Sequence, residues 1–132
     1  MDSHICQAKS STSPIVYLVV SPRMPYALKE WARMRRGAKA AGFSVVTFRD
    51  PRVEDGEWQA AVEAAGVPAA RGLLPLRNPA LIEAFGGLNH FPIALLTCGD
   101  RTHPWPILGV MPDATFVEVL RQRLEQLGRD PQ

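Results

Sequence analysis

Apolar residues along this chain fall into short continuous runs and helical stripes whose order already suggests an architecture. Ile15–Val20 is apolar and rich in β-branched residues, the pattern of a strand buried on both faces. Ser21-Pro22 ends it, and Pro25 suits the first turn of a helix, where its missing N–H costs nothing. Ala27, Trp31, Met34, Ala38 and Ala41 then recur at steps of four and three. They form one apolar stripe, and Gly42 supplies the C-terminal stop. Residues 43–48 (FSVVTF) read as a second buried strand, closed by Arg49-Asp50-Pro51. A strand, a helix and a strand joined this tightly predict a parallel, right-handed crossover.

Further along, Asp55 is placed to cap a helix that carries Trp58, Ala61, Val62 and Ala65 on one face and stops at Gly66. Residues 67–77 are punctuated by Pro and Gly, a loop that packs or binds through Leu73, Leu74 and Leu76. Asn78-Pro79 is a cap and a first-turn proline for a short helix with Leu81, Ile82 and Phe85. Residues 91–97 and 105–110 predict a hairpin around Gly99-Asp100. Phe116, Val117, Leu120 and Leu124 mark a last amphipathic helix. The order β-α-β-α-(α)-β-β-α describes one α/β domain over 14–128 with a central mixed sheet of about four strands. A disordered arm over 1–13 and a frayed tail over 129–132 are expected on either side.

Composition changes this picture little. With 132 residues, 46% hydrophobic and 21% charged, the chain fits one globular domain. No apolar run approaches the roughly 18–20 residues of a membrane span. The opening residues lack a charged start followed by an apolar stretch, so no signal peptide is expected and the compartment is cytoplasmic by default. Abundant arginine, alanine and proline suggest a bacterial genome rich in G and C. The net charge is +2, from 15 basic and 13 acidic residues. The densest basic cluster, Arg33, Arg35 and Arg36 beside Lys29, reads as a solvated helix face, with binding of an anionic ligand as its alternative. Nucleic acid is not expected.

Candidate chemistry is sparse. The two cysteines, Cys6 and Cys98, form neither a CxxC nor a metal-ligand spacing with histidine, so neither a metal nor a cofactor is expected. Hydrolase, phosphate-loop and dinucleotide signatures are absent from the sequence. Asp50, Glu54, Asp55 and Glu57 read as acids complementing a helix dipole. His4, His90 and His103 read as surface or hydrogen-bonded histidines.

The element order, with three local matches, resembles the thioredoxin-like superfamily over nearly the whole domain. Val19-Val20-Ser21-Pro22-Arg23-Met24-Pro25-Tyr26-Ala27 stands at the strand-to-helix turn where thioredoxins carry CxxC. Phe91-Pro92 opens a strand where the family has a cis-proline, and Gly109 stands where it has a glycine close to the same site. Aligned on the helix start, Met24 and Ala27 occupy the two cysteine positions, while Leu18 and Val46 occupy those of a buried acid and a lysine. Thiol–disulfide exchange needs a thiolate attacking a disulfide sulfur, which a thioether and a methyl group cannot supply. The resemblance thus implies a repurposed scaffold with no catalytic residue. Its former active-site groove would bind a protein or peptide through Met24, Pro25, Tyr26, Ala27, Phe91, Pro92, Trp105 and Gly109, the Phe91 backbone pairing with an added strand. The alternative is a thiol-dependent redox or peroxide-handling protein using Cys98 or Cys6.

Overall fold

The computed structural model describes residues 14–24 and 26–129. The arm expected over 1–13, Pro25, and residues 130–132 of the expected tail lie outside the described residues; Arg129 belongs to the last helix. The elements are β1 (Ile15–Val20), α1 (Ala27–Ala40), β2 (Ser44–Arg49), α2 (Asp55–Ala65), a 3-10 turn (Pro68–Ala70) and α3 (Pro79–Phe85), then β3 (Ile93–Cys98), β4 (Arg101–Thr102), β5 (Ile107–Leu108) and α4 (Asp113–Arg129). Among the described residues no helix is long and apolar enough to cross a membrane.

The five strands form one mixed sheet in the order β2-β1-β3-β4, with β5 also on β3. β1 runs parallel to β2 and antiparallel to β3. The pairings Leu18↔Ala94 and Val19↔Ile93 fix which residues share a face, because side chains alternate along a strand. Val16, Leu18 and Val20 join Ala94, Leu96 and Cys98 on one face, under Trp31 and Met34 of α1, Trp58 of α2, and Phe116 and Leu120 of α4. Val19, Ile93 and Leu95 meet Phe85, Leu76, Leu88 and Phe91 on the other. Two buried indoles find acceptors: Trp31 Nε1 donates to Thr47 Oγ1 at 2.8 Å and Trp58 Nε1 to the Ala70 carbonyl at 3.0 Å.

Three sequence expectations need correction. β2 is an edge strand, not one buried on both sides, and its Ser44 and Val46 are exposed. The second arm of the hairpin is not one strand over 105–110. It is split into β4 and β5 around Pro104 and Pro106, which lack the N–H a ladder needs. Glu54, not Asp55, is the N-cap of α2. On the basic face of α1, Lys29 and Arg36 are exposed as expected, and the partly exposed Arg33 is paired with Glu30 and Asp113. Cys98 is buried and disulfide-bonded.

Candidate functional site

β1 and β2 end, and α1 and β3 begin, at one end of the sheet, so the first turn of α1 is brought beside the chain entering β3. The turn after β1 is held by backbone bonds from Met24 N–H to the Ser21 carbonyl (3.3 Å) and from Ala27 N–H to the Met24 carbonyl (2.9 Å). Ser21 Oγ accepts from the Arg23 N–H at 3.2 Å. On the facing side the Phe91–Pro92 peptide bond is cis. The Pro92 carbonyl accepts from the Gly109 N–H at 2.9 Å, and Gly109 takes a positive φ of 83°. Ala27 and Phe91 are buried in one apolar cluster with Phe85 and Leu88, and Met24 packs against it. Tyr26 stands 73% exposed beside them.

Five of the sequence-derived site residues are therefore gathered at this place or bonded to it: Met24, Ala27, Phe91, Pro92 and Gly109, with Tyr26 on the rim. Pro25 lies outside the described residues. Trp105 is elsewhere. Its ring is on the α4 face, edge-on to His103 (centroids 5.7 Å apart) and beneath the Arg123 guanidinium (5.7 Å). The exposed apolar residues flanking Pro92 on β5 and beyond are Leu108 and Val110 instead. An open cavity of about 450 Å³ lies next to them, lined by Gly87, Asn89, His90, Pro106 and Leu108 among others.

The backbone of Phe91 has free capacity. Among the described residues, neither its N–H nor its carbonyl makes a hydrogen bond, and the residue as a whole is buried. Buried backbone groups are almost always paired, so two unpaired groups at a strand entry mark a place where the ladder is incomplete.

Beneath the turn lies a polar element that reading the sequence missed. Asp50, directly after β2, has no exposed surface, and its N–H donates to the Val20 carbonyl at 2.8 Å. Arg52 grips its carboxylate with Nε to Oδ1 and Nη2 to Oδ2, both 2.9 Å, and Nη2 also donates to the Leu88 carbonyl at 2.7 Å. The guanidinium sits 5.8 Å from the centroid of the Phe91 ring. Burial pushes the Asp50 carboxyl up, but Arg52 and the Ser21 hydroxyl together outweigh it and hold the group below its ordinary 3.8. Asp50 is thus an anion in a fixed pair, not a helix-dipole acid. The signal available in the sequence was an acid at the end of a buried run with an arginine two positions on. Of the two positions matched to charged helpers, Leu18 is in the core and Val46 is 37% exposed on β2.

Among the described residues no group of three or more His, Cys, Asp or Glu could hold a metal ion. No protein-family model matches the sequence, and neither does any curated protein. Solved structures do match in fold. The N-terminal domain of PilB from Neisseria gonorrhoeae is 18% identical with a TM-score of 0.59, over 93% of this chain and 86% of that one. A thiol:disulfide interchange protein of the thioredoxin family from Chlorobium tepidum is 15% identical with a TM-score of 0.55, over 89% and 81%. The exposed lipoprotein thioredoxin of Streptococcus pneumoniae is 15% identical with a TM-score of 0.53, over 84% and 85%. With its mixed sheet, flanking helices and these neighbours, the chain has the thioredoxin-like fold.

Proposed function

We propose that this chain is a non-catalytic thioredoxin-like protein that binds an extended segment of a protein partner at the turn between β1 and α1. The observation that carries this reading is the unpaired backbone of Phe91 beside the apolar surface of Met24 and Tyr26. An extended peptide would pair with Phe91 as an added strand, and the flexible thioether and amphipathic phenol would adapt to its side chains. Redox chemistry at this place finds no thiol, because Met24 and Ala27 head α1 and Cys98 is buried at the far end of β3.

Two measurements test the reading. Partner proteins captured by the wild-type chain should bind at least tenfold more weakly to Met24→Asp and Tyr26→Ala, with circular dichroism unchanged. Full retention by both variants would remove the site. In an insulin-reduction or peroxidase assay the wild type should run at background. Turnover that disappears with Cys98→Ser or Cys6→Ser would restore the thiol-dependent alternative.

A further inference from the structure

The two edges of the sheet are built differently. On one side, β4 and β5 are two residues each, and Pro104 and Pro106 interrupt them. Short edge strands and prolines are the usual means by which proteins keep sheet edges from pairing. The other edge is β2, six residues long, with no proline, and no charge from Ser44 to Phe48. Nothing in its composition guards it.

Hydrogen-bond parity shows which of its groups are open. Ser44 N–H donates to the Pro14 carbonyl at 3.1 Å and Asp50 N–H to the Val20 carbonyl at 2.8 Å, so the even-numbered positions of β2 face β1. The odd-numbered ones face outward. At Arg49 this outward rung is filled: its N–H donates to the Leu74 carbonyl at 2.9 Å and its carbonyl accepts from Leu76 N–H at 3.1 Å. At Thr47 and Val45 the same rungs have no backbone partner among the described residues. Four outward groups are therefore left, placed symmetrically about Val46.

We propose that β2 pairs antiparallel with β2 of a second copy of this chain about a two-fold axis at Val46. Val45 of one copy then lies opposite Thr47 of the other in a hydrogen-bonded pair, twice over. Four N–H···O=C bonds satisfy all eight outward groups of the two copies. Val46 lies opposite its own equivalent in the close, non-hydrogen-bonded pair, and Ser44 lies opposite Phe48. Every opposed residue is uncharged, so self-pairing carries no like-charge penalty, which is the charge requirement an isologous contact must meet. Exposed Val46 gains an apolar neighbour on the face it shares with the stacked rings of Tyr17 and Phe48. The Leu74–Leu76 segment bounds the contact at two rungs, so the association is weak and depends on concentration.

The test is sedimentation of the full chain over a concentration series reaching roughly 1 mM. The wild type should move from 14.5 kDa toward twice that mass as concentration rises. Val46→Lys and Val46→Glu, at an exposed position, should each remain monomeric through the series. An equimolar mixture of the two should regain the doubled mass, because the opposed positions then carry opposite charges. Val45→Pro removes an outward N–H without touching the bonds to β1, and it should also be monomeric. A wild type monomeric throughout overturns the proposal. So does a dimer that survives Val46→Lys and Val45→Pro in folded protein, or a lysine–glutamate mixture that stays monomeric.

Discussion

Arg52 ties Asp50 to the carbonyl of Leu88, a residue 36 positions further along the chain, with a bidentate grip at 2.9 Å on one side and a 2.7 Å bond on the other. The pair joins the end of β2 to the loop that enters β3. It therefore fixes the height of Phe91, whose ring lies under the same guanidinium. The polar cluster is a support for the candidate binding strand, built where a carboxylate has no access to water.

Removing Arg52 should be expensive. Arg52→Ala leaves the Asp50 carboxylate buried with only Ser21 and backbone donors, and we expect a loss of about 3 kcal/mol, the low end for stripping one partner from a buried charge because Arg52 itself is half exposed. The folded-state pKa of Asp50 lies below its unfolded value. Its contribution is therefore present above the ordinary 3.8 and is lost as pH falls through the depressed value. Urea denaturation at neutral pH and near pH 3 should show the gap between wild type and Arg52→Ala narrowing in acid. Equal stabilities at neutral pH would show the pair to be dispensable.

His103 gives a second pH dependence of the same sign at higher pH. It is buried, its Nδ1 accepts from the Trp105 N–H at 3.2 Å, and its Nε2–H donates to Gln126 Oε1 at 2.5 Å. That arrangement suits the neutral ring: a proton on Nδ1 would face another donor. Burial lowers its pKa below 6.5, Gln126 opposes this in part, and Arg123 adds to the lowering. The unfolded state then binds the proton first. Stability is full above the ordinary 6.5 and falls as pH drops below it toward the depressed value. Denaturation midpoints should decline between pH 7.5 and pH 5, and His103→Gln should flatten that decline. An NMR titration placing His103 above the ordinary value would contradict the assignment.

Much of the fold was legible because the apolar periods are clean. The alternation of Val16, Leu18 and Val20 against Val19, and the stripe Ala27–Trp31–Met34–Ala38, translate directly into buried faces. What escaped depends on tertiary placement. The run 43–48 is apolar except at Ser44 and Thr47 and shares the β-branched character of β1, yet topology sets it at the edge, and such a run does not reveal which strand has two neighbours. Leu28 is as buried as the stripe but one position off its period. Trp105 was misplaced because the break at Pro104 and Pro106 turns its ring to α4 while Leu108 keeps the flank of Pro92. Asp50 reads in the sequence as a helix-dipole acid and nothing there singles out Arg52, because their third partner, Leu88, is remote in sequence.

Gly109 offers a test of the strand that flanks the site. Its φ of 83° lies where a side chain is disfavoured, yet a Cβ built there meets nothing within 4 Å. The cost of Gly109→Ala should consequently be backbone strain alone, about 1–2 kcal/mol. If the chain relaxes to escape that strain, the cheapest movement breaks the 2.9 Å bond from Gly109 N–H to the Pro92 carbonyl and frees the β5 side of the entrance. Amide exchange at Gly109 should then accelerate by tenfold or more, while exchange at Leu18 and Leu95 in the core follows the global loss only. Uniform acceleration across all three amides would mean that this bond has no local role in holding Pro92.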